Sequence, residues 1–348
     1  MMEPSPGAIS ATHRTRPMNR LGISFLTDKR YSDYAALGNI VDQYEFETVS
    51  VYEDLFYQPA WPALLQFAQH TERPLLGPAV VNPYLYHPVT VAANMALLDD
   101  VSQGRAYLGV GKGAFFKPID VAQPKPITAI REMIEVVQRM LTGDRSLYQG
   151  EFFRVDPQAY LRFKIPEREL PVLIGTWGEK TSALAGRIAD MLKVGGCANP
   201  QSAPVFKEYL RTGAKNAGRD PSEIRLVFGA VTVVDRDRKT AEAIARRRAA
   251  MYVNVTGRLD PTYRPPAEEL NRVEKALENG ELSTAAEALS DETLRRFCCF
   301  GTPSDIIRQM EDLFDAGVDI FELGSPHGVD QAEAIRILGE EVLPAFKR

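Results

Sequence analysis

The sequence predicts a (β/α)8 TIM barrel of the α/β class. Eight short apolar runs alternate with helix-period segments along the 348 residues, and one more amphipathic segment follows the eighth run. The length suits this architecture, because barrels with insertions span roughly 200 to over 400 residues. An open doubly wound sheet shares the same local alternation. Eight runs, two interruptions and a closing helix favour the barrel.

The first strand reads at 21–26 (LGISFL), followed by a helix that Ser32 is placed to cap and that buries Leu37, Ile40, Val41 and Tyr44. Residues 48–52 form the second strand and 62–70 a short helix. Residues 75–81 and 89–101 supply the third pair. The fourth strand is 106–111 (AYLGVG); Ile127, Ile130, Ile134, Val137 and Leu141 mark its helix, which stops at Gly143. Residues 144–169 break the rhythm and read as a hairpin insertion. Residues 171–175 resume as the fifth strand, with a helix from Glu179; 191–194 is the sixth, with a helix over 202–217; 224–234 is the seventh, with a helix over 238–253. A second insertion covers about 257–297, charged and proline-rich first and helical later. Thr302-Pro303-Ser304-Asp305 then opens a helix with a cap, a proline in the first turn and an acid at its third position. Ile306, Ile307, Met310, Leu313 and Phe314 form its buried stripe; 320–323 is the eighth strand and 330–346 the closing helix. Residues 21–348 therefore read as one barrel domain behind a flexible tail at 1–20.

A net charge of −5 excludes the basic excess of a nucleic-acid binder. The first twenty residues hold no apolar core of a secretory signal, and no uncharged apolar stretch is long enough to span a membrane. Three cysteines, Cys197, Cys298 and Cys299, are no disulfide framework, and a cytoplasmic location is expected.

Gly109-Val110-Gly111-Lys112-Gly113-Ala114 matches a dinucleotide fingerprint, but Pro118, Pro124 and Pro126 delay the helix that would hold a pyrophosphate. The Rossmann reading is rejected. The glycines either let a ligand approach the backbone or make a plain turn. Gly175-Thr176-Trp177-Gly178 ends a strand just before a helix, whose first-turn N–H groups suit a phosphate, with Lys180 nearby. Trp177 either covers an aromatic ring or packs locally. Glu53 and Asp54 end the second strand; on a regular strand only one faces the pocket. Asn82 either bonds a heterocycle edge or makes a turn. His13, His70, His87 and His327 lack metal-ligand spacing, so no metal is expected, and Cys298 and Cys299 read as packing residues. With no nucleophile elbow or P-loop, an organic coenzyme is the expected carrier of the chemistry.

Four segments together resemble the bacterial luciferase-like superfamily: 76–88 (LGPAVVNPYLYHP), 98–113 (LDDVSQGRAYLGVGKG), 173–178 (LIGTWG) and 323–346. L-D-x-x-S-x-G-R at 98–105 carries the superfamily likeness. G-S-P-x-G-x-D at 324–330 is similar to the coenzyme F420-dependent methylenetetrahydromethanopterin reductases. The resemblance implies a homodimer or homotetramer and a non-prolyl cis peptide at Ala79–Val80 behind the coenzyme ring. It places the coenzyme phosphate by Gly175, Thr176, Trp177 and Gly178, and Glu53, Asp54, Asn82, Gly111 and Lys112 around the ring and its side chain. Ser24 and Ala114 stand where the reductases tend to carry acids that handle the pterin.

The expected function is hydride transfer between C5 of F420 and a small organic substrate, with Glu53 or Asp54 as catalytic acid or base. An FMN-dependent luciferase-like monooxygenase and a non-catalytic flavin-binding barrel are the alternatives.

Overall fold

The computed structural model describes residues 20–346; the tail expected at 1–20 lies, but for Arg20, outside them. The strands β1 (Leu21–Phe25), β2 (Thr48–Val51), β3 (Leu75–Pro78) and β4 (Leu108–Gly111) come first. They are followed by the short pair β5 (Tyr148–Gln149) and β6 (Arg154–Val155), then β7 (Val172–Gly175), β8 (Met191–Gly195), β9 (Arg225–Val234), β10 (Cys298–Gly301) and β11 (Ile320–His327). All pairings in the large sheet are parallel, in the order β3-β2-β1-β11-β9-β8-β7-β4. Isolated parallel bridges Leu76–Ala106 and Val81–Val110 join the two ends, so the sheet closes and the open-sheet alternative falls.

The helices α1 (Tyr31–Val41), α2 (Ala60–His70), α3 (Pro88–Val101), α4 (Pro126–Thr142), α5 (Glu179–Ile188) and α6 (Ala203–Asn216) cover the outside, as do α7 (Arg238–Thr256), α11 (Pro303–Asp315) and α12 (Gln331–Ile337). Helix α11 starts as its sequence indicates. Thr302 Oγ1 accepts the Asp305 N–H at 3.4 Å and the Asp305 carboxylate accepts the Thr302 N–H at 3.0 Å, the reciprocal cap that satisfies two orphan donors. Helix α1 corrects the reading. It begins at Tyr31 rather than after Ser32, because Asp33 reaches back to the Arg30 N–H at 3.2 Å. The closing segment is also shorter than one helix: α12 ends at Ile337, a wider π turn covers Leu338–Val342 and a 3-10 turn Leu343–Phe346.

The insertion at 144–169 carries the antiparallel β5–β6 pair. Glu132 of α4, itself buried, anchors it by accepting the N–H groups of Glu151, Phe152 and Phe153 at 2.8, 2.8 and 3.2 Å. Residues 257–297 hold α8 (Ala267–Glu278), α9 (Leu282–Ala288) and α10 (Asp291–Phe297). This excursion returns to the sheet as β10, which pairs with the upper half of β9 from Val231 to Val234, and the sequence reading missed that strand. Cys298 and Cys299 lie buried within it, and the Cys298 thiol faces the Val231 carbonyl at 3.1 Å.

The L-D-x-x-S-x-G-R segment proves to be a clamp. The Arg105 guanidinium donates to carbonyls of Ala68, Thr71, Pro74 and Ser102 at 2.6–3.1 Å, satisfying orphan acceptors at the end of α2. It holds the end of the barrel remote from the strand C-termini. Among the described residues no helix is long and apolar enough to cross a membrane.

Candidate functional site

The site is built where the strands end. Side chains alternate along β2 and its extension, so 48, 50, 52 and 54 share a face. Thr48 and Ser50 donate to Glu322 of β11 at 2.9 and 2.6 Å, and Tyr52 OH lies 2.6 Å from Ser24 Oγ of β1. That face is the barrel interior, and Asp54 follows three residues beyond the end of β2. Glu53 turns the other way. Its carboxylate accepts the Ala60 N–H at 2.6 Å, closing the start of α2, and bonds the Tyr86 hydroxyl.

Both acids are partly buried. Burial raises the Glu53 carboxyl above its ordinary range, against the Tyr86 and Ala60 bonds that lower it. Asp54 accepts no side-chain hydrogen bond from a described residue. Burial raises it to about 6, helped by the Glu53 charge and opposed by Lys193. An acid poised near neutral pH suits proton transfer.

Beneath this rim the barrel interior is layered. Tyr107, Leu173, Met191, Val227 and Ile320 fill the lower, apolar layer. Above them Lys193 of β8 forms an ion pair with Glu322, both side chains nearly inaccessible (6% and 0%). Ser50 Oγ, bonded to Glu322, also lies 2.5 Å from Tyr107 OH. A polar layer stands where barrels usually pack branched aliphatics.

The Ala79–Val80 peptide is cis, as the resemblance implies, and the regular strand stops at Pro78 instead of running to 81. Val80 projects between β4 and β7. A Cβ at Gly111 would lie 2.5 Å from its Cγ2, and one at Gly175 would lie 2.9 Å from its Cγ1. These two glycines make room for the Val80 side chain. Gly111 and Gly175 are register partners, so both turns open on one rim.

Asn82 makes the turn, its side-chain carbonyl accepting the N–H groups of Tyr84 and Leu85 at 3.1 and 3.0 Å. Lys112 is exposed beyond β4. Trp177 packs locally, edge-on to Phe206 with centroids 5.9 Å apart, and its indole N–H donates to the Gly195 carbonyl at 2.8 Å. Thr176 Oγ1 accepts the Gly178 N–H at 3.0 Å. Gly178 itself stands at the N-cap of α5, and no side chain caps that helix. The N–H groups of Glu179, Lys180 and Thr181 therefore point out unsatisfied, the arrangement that receives an anion. Beside them, a Cβ at Gly195 would meet nothing within 4 Å. These donors and that opening fit a phosphorylated coenzyme.

Sequence reasoning missed Lys193, Glu322, Tyr52 and Gly195. The first two carried a signal, a lone charge inside each of two apolar strands (MLKVG and IFELG). His327, buried and neutral, is structural: its ring bonds the Leu323 carbonyl and Gln331, and burial lowers it to about 3. Among the described residues no three His, Cys, Asp or Glu side chains gather as a metal site would require.

The chain is 29% identical over 338 residues to the 5,10-methylenetetrahydromethanopterin reductase of Archaeoglobus fulgidus, covering 94% of this chain and 100% of that one. It is 27% identical to the F420-dependent glucose-6-phosphate dehydrogenase of Nakamurella multipartita, covering 91% and 93%. The solved coenzyme F420-dependent tetrahydromethanopterin reductase of Methanopyrus kandleri superposes with a TM-score of 0.84 at 28% identity, over 94% of this chain and 99% of that one. The luciferase-like monooxygenase family model matches residues 8–320, and the chain belongs to that family.

Proposed function

We propose that the protein is a coenzyme F420-dependent oxidoreductase acting on a small organic molecule. The observation that carries this reading is the shared rim: the uncapped start of α5, the Val80 prominence and the Asp54 carboxyl open on the strand C-termini together. The F420-dependent relatives named above support the choice of coenzyme.

When bound, the coenzyme supplies or accepts the hydride. The first-turn N–H groups of α5, with Gly175, Thr176, Trp177 and Gly178, would hold its phosphate. Ala79, Val80, Asn82, Gly111 and Lys112 are the residues that would hold its ring and side chain. Trp177, fixed by its indole bond to Gly195, keeps this loop in place, so less ordering is needed on binding.

Asp54 takes or returns the proton that accompanies hydride transfer, and Glu53 holds the loop bearing it through Ala60 and Tyr86. The reductase acids' positions do no ionic work here. Ser24 forms a neutral hydroxyl pair with Tyr52, and Ala114 has no polar group. The proton chemistry therefore concentrates on one carboxyl.

The test is a fluorescence titration of the purified protein with oxidised and reduced F420 and FMN. Micromolar binding of F420 supports the reading; binding of FMN alone overturns it. Turnover over a panel of enones, imines, alcohols and pterins then separates an enzyme from a binding barrel, and Asp54→Asn should abolish it while keeping F420 bound. We also place the protein in the cytoplasm, where its three free thiols stay reduced, as a homodimer or homotetramer that sedimentation would reveal.

A further inference from the structure

Tyr52 lies at the floor of the barrel mouth, and the chemistry assigned so far makes no use of it. It follows Thr48 and Ser50 on the inward face of β2. Lys193, held by Glu322, stands against its ring, with the ammonium 5.3 Å from the ring centroid. Its hydroxyl lies 2.6 Å from Ser24 Oγ and has no other partner among the described residues. Gly324, the register partner of Ser24, leaves room for that hydroxyl: a Cβ there would lie 2.9 Å from its oxygen. On β8 the next inward position above Lys193 is Gly195, where a Cβ would meet nothing within 4 Å. The space above Lys193 is therefore open on the β8 side. Tyr52 is partly exposed there, whereas Ser24, Ser50, Lys193 and Glu322 around it are buried.

Two hydroxyls this close share one hydrogen bond, so one of their two protons must go elsewhere. Ser24 is fully buried. Its other acceptor, the Leu323 carbonyl, is 3.5 Å away and already takes the His327 Nε2 proton at 3.1 Å. A donor left unpaired at so buried a point is costly. Ser24 therefore donates to Tyr52, and the proton of the partly exposed phenol is the one left to point into the open space.

We propose that Tyr52 is a catalytic residue, the hydrogen-bond donor to the oxygen or nitrogen of a substrate whose reacting carbon belongs to a carbonyl or imine, or to the matching alcohol or amine. This deepens the reading of the protein as an F420-dependent oxidoreductase and rests on it. Hydride addition to such a carbon breaks the π bond and leaves its electron pair on the oxygen or nitrogen. Tyr52 stabilises that charge from a fixed position and keeps its own proton, while the proton that completes the product comes from Asp54. In the oxidative direction the same bonds are made and broken in reverse. Burial raises the Tyr52 hydroxyl above its ordinary value, against the Ser24 bond that lowers it, so at neutral pH it is a donor and not a base.

The experiment has two arms, both on the full-length protein. Without coenzyme, the tyrosine doublet in the ultraviolet resonance Raman spectrum tells an accepting phenol from a donating one, and subtraction of Tyr52→Phe isolates its contribution. Ser24→Ala should shift this signal away from the accepting pattern. A shift away from the donating pattern would mean that Tyr52 spends its proton on Ser24, and overturns the proposal. With F420 bound, and the enone, imine, alcohol or pterin that turns over fastest, Tyr52→Phe should lower kcat by about 10²–10³-fold with F420 affinity retained. Ser24→Ala keeps the donor and should lower kcat by no more than about tenfold. Unchanged turnover in Tyr52→Phe, or equal losses in the two variants, overturns the role of Tyr52. Failure of the underlying reading shows separately, as wild-type protein that binds no F420 or turns over nothing in the panel.

Discussion

Val80 and the two glycines facing it offer a quantitative test of how the rim is packed. In Gly175→Ala the new Cβ would sit 2.9 Å from Val80 Cγ1, about half an ångström inside ordinary van der Waals contact. The crowded atom belongs to a short, stiff side chain, so relief requires movement of the Ala79–Val80 backbone. Overpacking of this kind costs roughly 1–3 kcal/mol. Val80→Ala removes both γ-methyls, and in that background Gly175→Ala should cost no more than about 0.5 kcal/mol, a coupling energy of about 1–2 kcal/mol. Gly111→Ala should be rescued only in part, because its Cβ also meets the Gly175 carbonyl oxygen at 2.8 Å. Urea unfolding of the four members of each cycle, read as shifts in midpoint at constant slope, measures this. An equal cost of Gly175→Ala with and without the valine would refute the packing argument.

Lys193→Met leaves Glu322 buried without its partner and should destabilise by about 3–5 kcal/mol, while Lys193→Met/Glu322→Gln recovers most of the loss; urea midpoints at pH 7 decide. Asp54 binds its proton more tightly folded than unfolded, so it weakens the fold as pH rises from 3.8 to about 6. Asp54→Asn should therefore match the wild type in stability below that window and exceed it above, by on the order of 2–3 kcal/mol; a constant offset across pH would contradict the shift. Gly178→Asp should act in opposite senses. An aspartate at the N-cap stabilises α5 by up to about 1 kcal/mol, yet the same charge repels a phosphate and weakens F420 binding tenfold or more, about 1.4 kcal/mol. Unchanged affinity would show that the phosphate lies elsewhere.

Much of this architecture is legible in the chain. The apolar runs locate all eight barrel strands, and Thr302 and Asp305 announce α11, because local periodicity and capping chemistry dominate there. Strand β10 was not legible: four residues directly after α10, with no turn between, carry too little pattern to separate them from the helix. The alternation at Glu53 and Asp54 allowed only one acid to face the pocket on a regular strand, and it is the partners of Glu53, Ala60 and Tyr86, that show which one turns away. Lys193 and Glu322 lie 129 positions apart, and nothing in one dimension brings two such charges across a cylinder. The glycines at 111 and 175 were visible too, but the valine that needs them comes from a third strand.

The return of the chain to β9 through β10 has an engineering consequence. Helices α8 and α9 hang between two points stitched into the wall, so they behave as a handle rather than a detachable appendage. Cutting the polypeptide at Gly280, in the turn between them, would leave every sheet pairing intact, whereas trimming back to residue 301 would strip the upper half of β9 of one neighbour and expose its row of peptide groups to solvent. New termini belong at the first position, and grafted loops must end before the second.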